Sequence, residues 1–435
     1  MDGRRFEKAQ RNVGSLEETP RKSTGGLVLE GSFAESVYLA SQLRELSDEQ
    51  LKILERVDEV CKELYLPEFE HYIAHKYNPE TPVLLKKYNL MGLTVSPEYG
   101  GVGADSLTWA LALERFGQLG LSVVTFVDVH CLLASLAIQQ WGNEPLKRKY
   151  LVPAAKGEKI LAYGLTEPEA GSEPTSLKTS FEERDGSYVI SGTKYLISNG
   201  SVADALIIFA YPKSKKEGMS AFVVDSKSEG FSVAMHLEEK IGLFTSDTAM
   251  LELLEVKVPK ENVLGQIGKG LHVAYSALLN GRIGIGSGCV GIIGDCLNSV
   301  TERARSRVQH GKPIGKHQLI QRHLANIAMN LEMARWPTYY AAVEKTKLDA
   351  NPSNLELRNK VDLQSAIAKR VASRLAYESA DLAVQVFGGF GYSLLSPVAR
   401  HLCDSRVARI YEGTDEIMEL KIASLILGKG FEAYS

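Results

Sequence analysis

Phe231-Ser-Val-Ala-Met235 and Leu254-Glu-Val-Lys-Val258 both alternate apolar with polar or small residues, the period-2 pattern of strands with one buried face. Upstream, Leu206 to Ala210 is a short apolar run, and Asp185-Gly186 is the dipeptide of a tight hairpin turn. No helical stretch separates these segments, so the sheet is predicted antiparallel and not built from βαβ units. On both sides the period becomes helical. Ser47-Asp-Glu-Gln50 reads as a capping box, followed by Leu54, Val57, Cys61 and Leu64 at helical spacing, with Tyr99-Gly-Gly-Val-Gly103 as a loop further on. After Pro259, the stripes Ile320, Leu324, Ile327, Leu331 and Ile367, Val371, Leu375, Leu382, Val386 belong to long helices. Segments at about 269–305, 316–348, 354–387 and 398–427 predict a four-helix bundle, with Pro337 kinking the second. The fold class is therefore α+β. Residues 1–45 read as a tail, 46–158 as an N-terminal helical domain, 159–260 as a middle antiparallel β domain, and 261–435 as a C-terminal helical bundle.

The chain has 435 residues, 44% hydrophobic and 24% charged, with a formal net charge of -3. This is ordinary globular usage and gives no long-range pull toward nucleic acid or anionic lipid. No uninterrupted apolar run reaches the ~18 residues of a membrane span, so neither a membrane nor a nucleic-acid partner is expected. Cys61, Cys131, Cys289, Cys296 and Cys403 form no C-x-x-C pair, which suits buried thiols in a reducing compartment. A cytoplasmic location is expected, or the mitochondrial matrix if the source is eukaryotic. The first two dozen residues mix Arg4, Arg5, Lys8 and Arg11 with Asp2, Glu7, Glu17 and Glu18. That mixture favours a flexible tail over an acid-poor transit peptide, with a targeting signal as the alternative.

Gly286-x-Gly288-x-x-Gly291 has dinucleotide-fingerprint spacing but lies in a helical pattern and follows no strand. Its glycines fit a close helix–helix approach better. His71 and His75, spaced i, i+4, have no evident third ligand, so no metal is expected. Three clusters offer more chemistry: Tyr163-Gly-Leu-Thr-Glu-Pro-Glu-Ala-Gly-Ser172, Gly192-Thr-Lys-Tyr-Leu-Ile-Ser-Asn-Gly200, and Arg409-Ile-Tyr-Glu-Gly-Thr414. Each could by itself be a turn or a helix cap.

Together, and in this order, they resemble the acyl-CoA dehydrogenase family of flavoproteins. Pro97 to Gly103, His130, Arg307 with Gly311-Lys-Pro-Ile314, and Gln385 with Gly388-Gly389 extend the resemblance from about Leu46 to Leu427. The resemblance implies FAD between the β domain and the C-terminal helices. Tyr163, Leu165 and Thr166 match positions at the isoalloxazine ring, Gly171 and Ser172 positions near cofactor and substrate, and Leu196, Ile197 and Ser198 the ring's other side. Arg307, Val308 and Gln309, with His317 and Gln318, match contacts to the adenine-dinucleotide half. Gln385, Val386, Gly388 and Gly389 match a contact across a subunit interface, which implies a homo-oligomer, a tetramer in relatives. Thr414 and Glu416 close the site; Arg282 and Tyr411 join Ser172 around the substrate.

Glu412 matches the catalytic base of many members; others place it where this chain has Gly281. The implied activity is α,β-dehydrogenation of an acyl-CoA to the trans-2-enoyl-CoA, as in fatty acid metabolism, with electrons passed to an electron-transfer flavoprotein. The rivals are a dehydrogenase or oxidase of carrier-protein-bound acyl groups, an oxygen-using acyl-CoA oxidase, and a flavin-containing DNA-binding protein of the alkylation response, which the charge disfavours. Leu196 replaces a common aromatic beside the flavin, His310 a common Phe, and Leu279 a common Asp that holds coenzyme A. Leu196 and Leu279 are expected to mark a reshaped flavin pocket or altered carrier recognition.

Overall fold

The computed structural model describes residues 31–214, 218–428 and 430–431. Most of the expected tail, residues 1–30, lies outside them; its last part is not tail but helix, α1 (Gly31–Leu43). Ala40 of α1 is buried, and the Arg44 guanidinium just past its end pairs with Asp105. Helices α2 (Asp48–Ile73), α3 (Glu80–Lys87), α4 (Ser106–Gly117) and α5 (Leu121–Trp141) follow. The capping box forms: Ser47 Oγ accepts from the Gln50 N–H at 3.3 Å, and the Ser47 N–H donates to Gln50 Oε1 at 2.8 Å.

The middle sheet runs β6-β7-β3-β2-β4-β5-β8, with β1 (Leu161–Gly164) against β4. Its strands are β2 (Ser180–Arg184), β3 (Ser187–Ser198), β4 (Ala205–Pro212), β5 (Ser220–Asp225), β6 (Phe231–His236), β7 (Thr248–Pro259) and β8 (Val263–Leu264). Pairing is antiparallel except at β4, which lies parallel to both β1 and β2. Asp185 and Gly186, at φ 50° and 75°, make the expected hairpin turn between β2 and β3. The alternation of β7 breaks where the sequence pattern hides it. Ile190 pairs with Val256 but Gly192 with Leu253, so Leu254 and Glu255 together face Ser191 in a bulge, with Glu255 at φ 52°. Leu254 is thereby 62% exposed and does not share the buried face of Val256 and Val258.

Helices α6 (Gly270–Ser306), α7 (Gln318–Ala350) and α8 (Leu355–Phe387) form three arms of the C-terminal bundle. α7 continues unbroken through Pro337. The fourth arm is two helices, α9 (Ala399–Ala408) and α10 (Asp415–Leu427), separated by the turn that carries Glu412. The hairpin β9 (Val308–Gln309) and β10 (Lys312–Pro313) joins α6 to α7 through His310 and Gly311, both at positive φ. Gly288 and Gly291 of the false dinucleotide motif pack α6 on α4. A Cβ on Gly291 would lie 2.0 Å from the Glu114 carbonyl oxygen, and one on Gly117 would lie 2.2 Å from that of Gly288. Contrary to the reading from runs alone, α5 and α6 are long and apolar enough on average to cross a bilayer; 94% and 78% of their most apolar windows is buried inside the protein, where they serve as core helices.

Candidate active site

A cavity of about 720 Å³ opens between the sheet and the C-terminal helices, walled by the segment after β1, the end of β3, one face of α5, α6, and the Tyr411–Thr414 turn. The turn is built to hold an unusual backbone. Glu412 and Gly413 stand at φ 55° and 96°, a left-handed pair that costs energy at the glutamate. Four contacts pin it: Arg409 Nε to Asp415 Oδ2 at 2.7 Å, the Asp415 N–H to the Arg409 carbonyl at 3.1 Å, Thr414 Oγ1 capping the Ile417 N–H at 3.2 Å, and the buried Lys369 ammonium donating to the Gly413 carbonyl. The twist sends the Glu412 side chain against α6. A Cβ on Gly281 would lie 2.5 Å from Glu412 Oε2, so the carboxylate fills the space that a side chain at 281 would take.

Glu412 Oε2 is buried with no hydrogen-bond partner among the described residues. Burial pushes the carboxyl up to about 7, against the opposing pull of Arg282 and Lys369. The Arg282 guanidinium is held at 2.9 Å by Asp362, and burial drives Lys369 down to about 8. Among the described residues, no hydrogen bond engages the Glu412 N–H.

The opposite wall is fixed by a buried ion pair. Lys194 Nζ bonds Glu167 Oε1 at 2.7 Å and the Leu165 carbonyl at 3.2 Å, while Glu167 also accepts from the Thr179 N–H at 3.1 Å. Burial alone would raise the Glu167 carboxyl, but Lys194 and these N–H donors hold it below its usual value. This ties Leu165 and Thr166 to β3. The Tyr195 N–H closes on the Thr166 carbonyl at 2.9 Å. The next residue, Leu196, sits at φ 57°, half exposed and lining the cavity, where β3 bulges between Lys194 and Ile197.

Of the residues expected from sequence, Tyr163, Leu165, Thr166, Gly171, Ser172, Leu196, Ile197, Ser198, Arg282, Tyr411, Glu412 and Thr414 come together on this one cavity. Glu416 lies beyond it in the first turn of α10. Arg307, Val308, Gln309, His317 and Gln318 do not line it either; they gather at the β9–β10 hairpin and the start of α7, where the Ile314 N–H bonds the Arg307 carbonyl at 2.8 Å. Gln385, Val386, Gly388 and Gly389 cluster at the end of α8, joined to that region by the Arg303 guanidinium 5.3 Å from the Phe387 ring. Leu279 packs with Leu348 and Val361 in a small apolar cluster, so its side chain is committed to the core. Sequence reasoning missed Thr125 and Asp128 of α5 and the Lys240–Leu243 segment, all on the cavity wall. An aspartate inside the apolar stretch of α5 was the available signal.

Residues 47–158, 162–256 and 268–427 match the N-terminal, middle and C-terminal domains of acyl-CoA dehydrogenase. An acyl-CoA dehydrogenase of Bacillus subtilis (strain 168) is 38% identical over 344 residues, 79% of this chain and 88% of that protein. The structure of butyryl-CoA dehydrogenase from Megasphaera elsdenii superposes with a TM-score of 0.83 at 35% identity, covering 88% of this chain and 99% of the other. An acyl-CoA dehydrogenase from Bacillus anthracis complexed with FAD gives 0.81 at 32% identity, over 88% of this chain and 67% of that one. The chain therefore belongs to the acyl-CoA dehydrogenase family. It is an FAD-dependent oxidoreductase that dehydrogenates acyl-CoA and hands electrons onward.

The cavity's residues fit that cofactor. Tyr163 to Thr166 and Leu196 to Ser198 form one wall with hydroxyls and backbone, Gly171 leaves open space where a Cβ would stand, and a carboxylate with no partner among the described residues looks in from across the cavity.

Proposed function

We propose that Glu412 is the base that removes the α proton of a short acyl-CoA, with Ser172, Arg282 and Tyr411 around the substrate and Tyr163, Leu165, Thr166, Ile197 and Ser198 around the flavin. The observation that carries this reading is the buried, unpartnered Glu412 carboxylate seated in the Gly281 notch at the cavity wall. A base with a pKa near the working pH is ionised often enough to act and basic enough to take a proton. As the α C–H proton moves to the carboxylate, negative charge grows on the thioester oxygen, and the free Glu412 N–H is a donor for it. FAD, when bound, supplies the acceptor for the β hydrogen with its electron pair. Lys369 and Arg282 limit how far burial can raise the base. A bound acyl chain excludes water, which strengthens these interactions.

The electron acceptor in this reading is an electron-transfer flavoprotein, and the location is cytoplasmic. The assembly is a homotetramer in which the end of α8 reaches the cofactor of a neighbouring subunit. Gly388 and Gly389 face open space within one chain, which supports that role. The test is anaerobic titration of the purified protein with acyl-CoAs of graded length. Bleaching of the flavin by short-chain thioesters supports the reading, and a flavin that no acyl-CoA reduces contradicts it.

A further inference from the structure

The Glu412 carboxylate has a neighbour that the dehydrogenation does not use. Asp128, on α5, is 1% exposed, lines the same cavity, and has Oδ1 buried without a hydrogen-bond partner among the described residues. Its position is as specific as that of Glu412. A Cβ on Gly284 would lie 2.2 Å from Asp128 Oδ1, just as one on Gly281 would meet Glu412 Oε2. Gly281 and Gly284 are three apart on α6, so their notches face the same way about 5–6 Å apart. One helix face thus seats two carboxyl groups side by side, delivered from two other elements.

Asp128 begins the π-wound stretch of α5, Asp128–Ser135, a winding that is rare and concentrated at functional sites. Thr125, one turn earlier on the same face, also lines the cavity, its hydroxyl beside that of Tyr411. Leaving a carboxyl oxygen buried and unbonded is destabilising, and an apolar residue at 128 would avoid that cost. The charged groups facing Asp128 are few: its carboxyl is raised by burial first and by Glu412 second, with no cation offsetting either. With Glu412 ionised to act, Asp128 keeps its proton and is a hydrogen-bond donor into the cavity.

We propose that Asp128, with Thr125, forms a polar subsite of the acyl cavity that selects acyl groups carrying a hydroxyl or carbonyl oxygen beyond the reacting carbons. The inference rests on the reading of the cavity as the acyl site with Glu412 as its base. Sites that bond a substrate oxygen discriminate far more strongly than apolar pockets do, because the analogue leaves the buried groups unpaired.

The test compares kcat/KM for butyryl-CoA, 4-hydroxybutyryl-CoA and 4-aminobutyryl-CoA in the wild-type protein and in Asp128→Val and Asp128→Asn. The wild type is expected to favour the hydroxyl-bearing substrate over butyryl-CoA. Asp128→Val should cut that ratio at least about tenfold, and Asp128→Asn, whose amide still donates, should retain most of it. A wild-type preference for butyryl-CoA, a preference for the ammonium-bearing substrate, or a ratio that Asp128→Val moves by less than twofold overturns the proposal. Should Asp128→Val fail to fold, Thr125→Val in the same ratio assay decides, with a fall expected and no change contradicting. Glu412→Gln, run alongside, separates the two readings: it should slow all three substrates together, whereas failure of the subsite alone leaves that loss intact.

Discussion

Glu412 and Gly281 form a matched pair, because the carboxylate occupies the space a side chain at 281 would need. Gly281→Ala should therefore push the base out of place and slow flavin reduction about 100-fold, while bound FAD, read from the absorbance spectrum, is retained. The pH dependence follows from the same burial. The carboxyl is raised to about 7, so below that value it holds its proton and cannot accept another. Reduction rate should rise with pH and level off above about 7. Lys369→Met removes a cation that favours the ionised form, so the midpoint of that curve should move upward; a midpoint that stays or falls contradicts the electrostatic account. Glu412 was legible as a candidate because Tyr-Glu-Gly-Thr is a recognisable motif. Asp128 was not, since one acid in an apolar helix has no partner in sequence and acquires meaning only when Gly284 brings α6 against it.

The helices α4 and α6 approach so closely that two glycines touch opposing carbonyl oxygens. Gly291→Ala should force them apart at a cost of about 1–3 kcal/mol, lowering the melting temperature by a few degrees with little change in the acyl-CoA preference of the folded enzyme. Calorimetry beside the titration assay checks both halves. Elements with local signatures could be read directly: the Ser47–Gln50 box and the Asp185-Gly186 turn depend only on neighbours in sequence. Those set by tertiary fit could not. The bulge at Leu254–Glu255 turns one leucine outward without disturbing the apolar alternation, and the break between α9 and α10 depends on a positive φ at a glutamate, which helical periodicity cannot announce.

At the scale of the molecule, the order of helical, β and helical units was visible in the change of hydrophobic period, and the site forms where these units meet. The residues matched to the adenine half of the cofactor and to the subunit contact lie apart from the cavity within one chain, which is the arrangement a shared site would have. Light scattering should give a tetramer, and Gly389→Glu, which places charge at that contact, should lower both the assembled mass and the FAD content. A monomer with full FAD would contradict the shared site. The central claim, that Glu412 takes the α proton, is tested most directly by rapid-mixing reduction of the flavin in Glu412→Gln. The glutamine keeps size and hydrogen bonding but cannot take the proton, so FAD should remain bound while reduction slows by about 10² to 10⁴-fold, some 3 to 5 kcal/mol of barrier. Reduction within a few-fold of the wild-type rate would show that Glu412 is not the base.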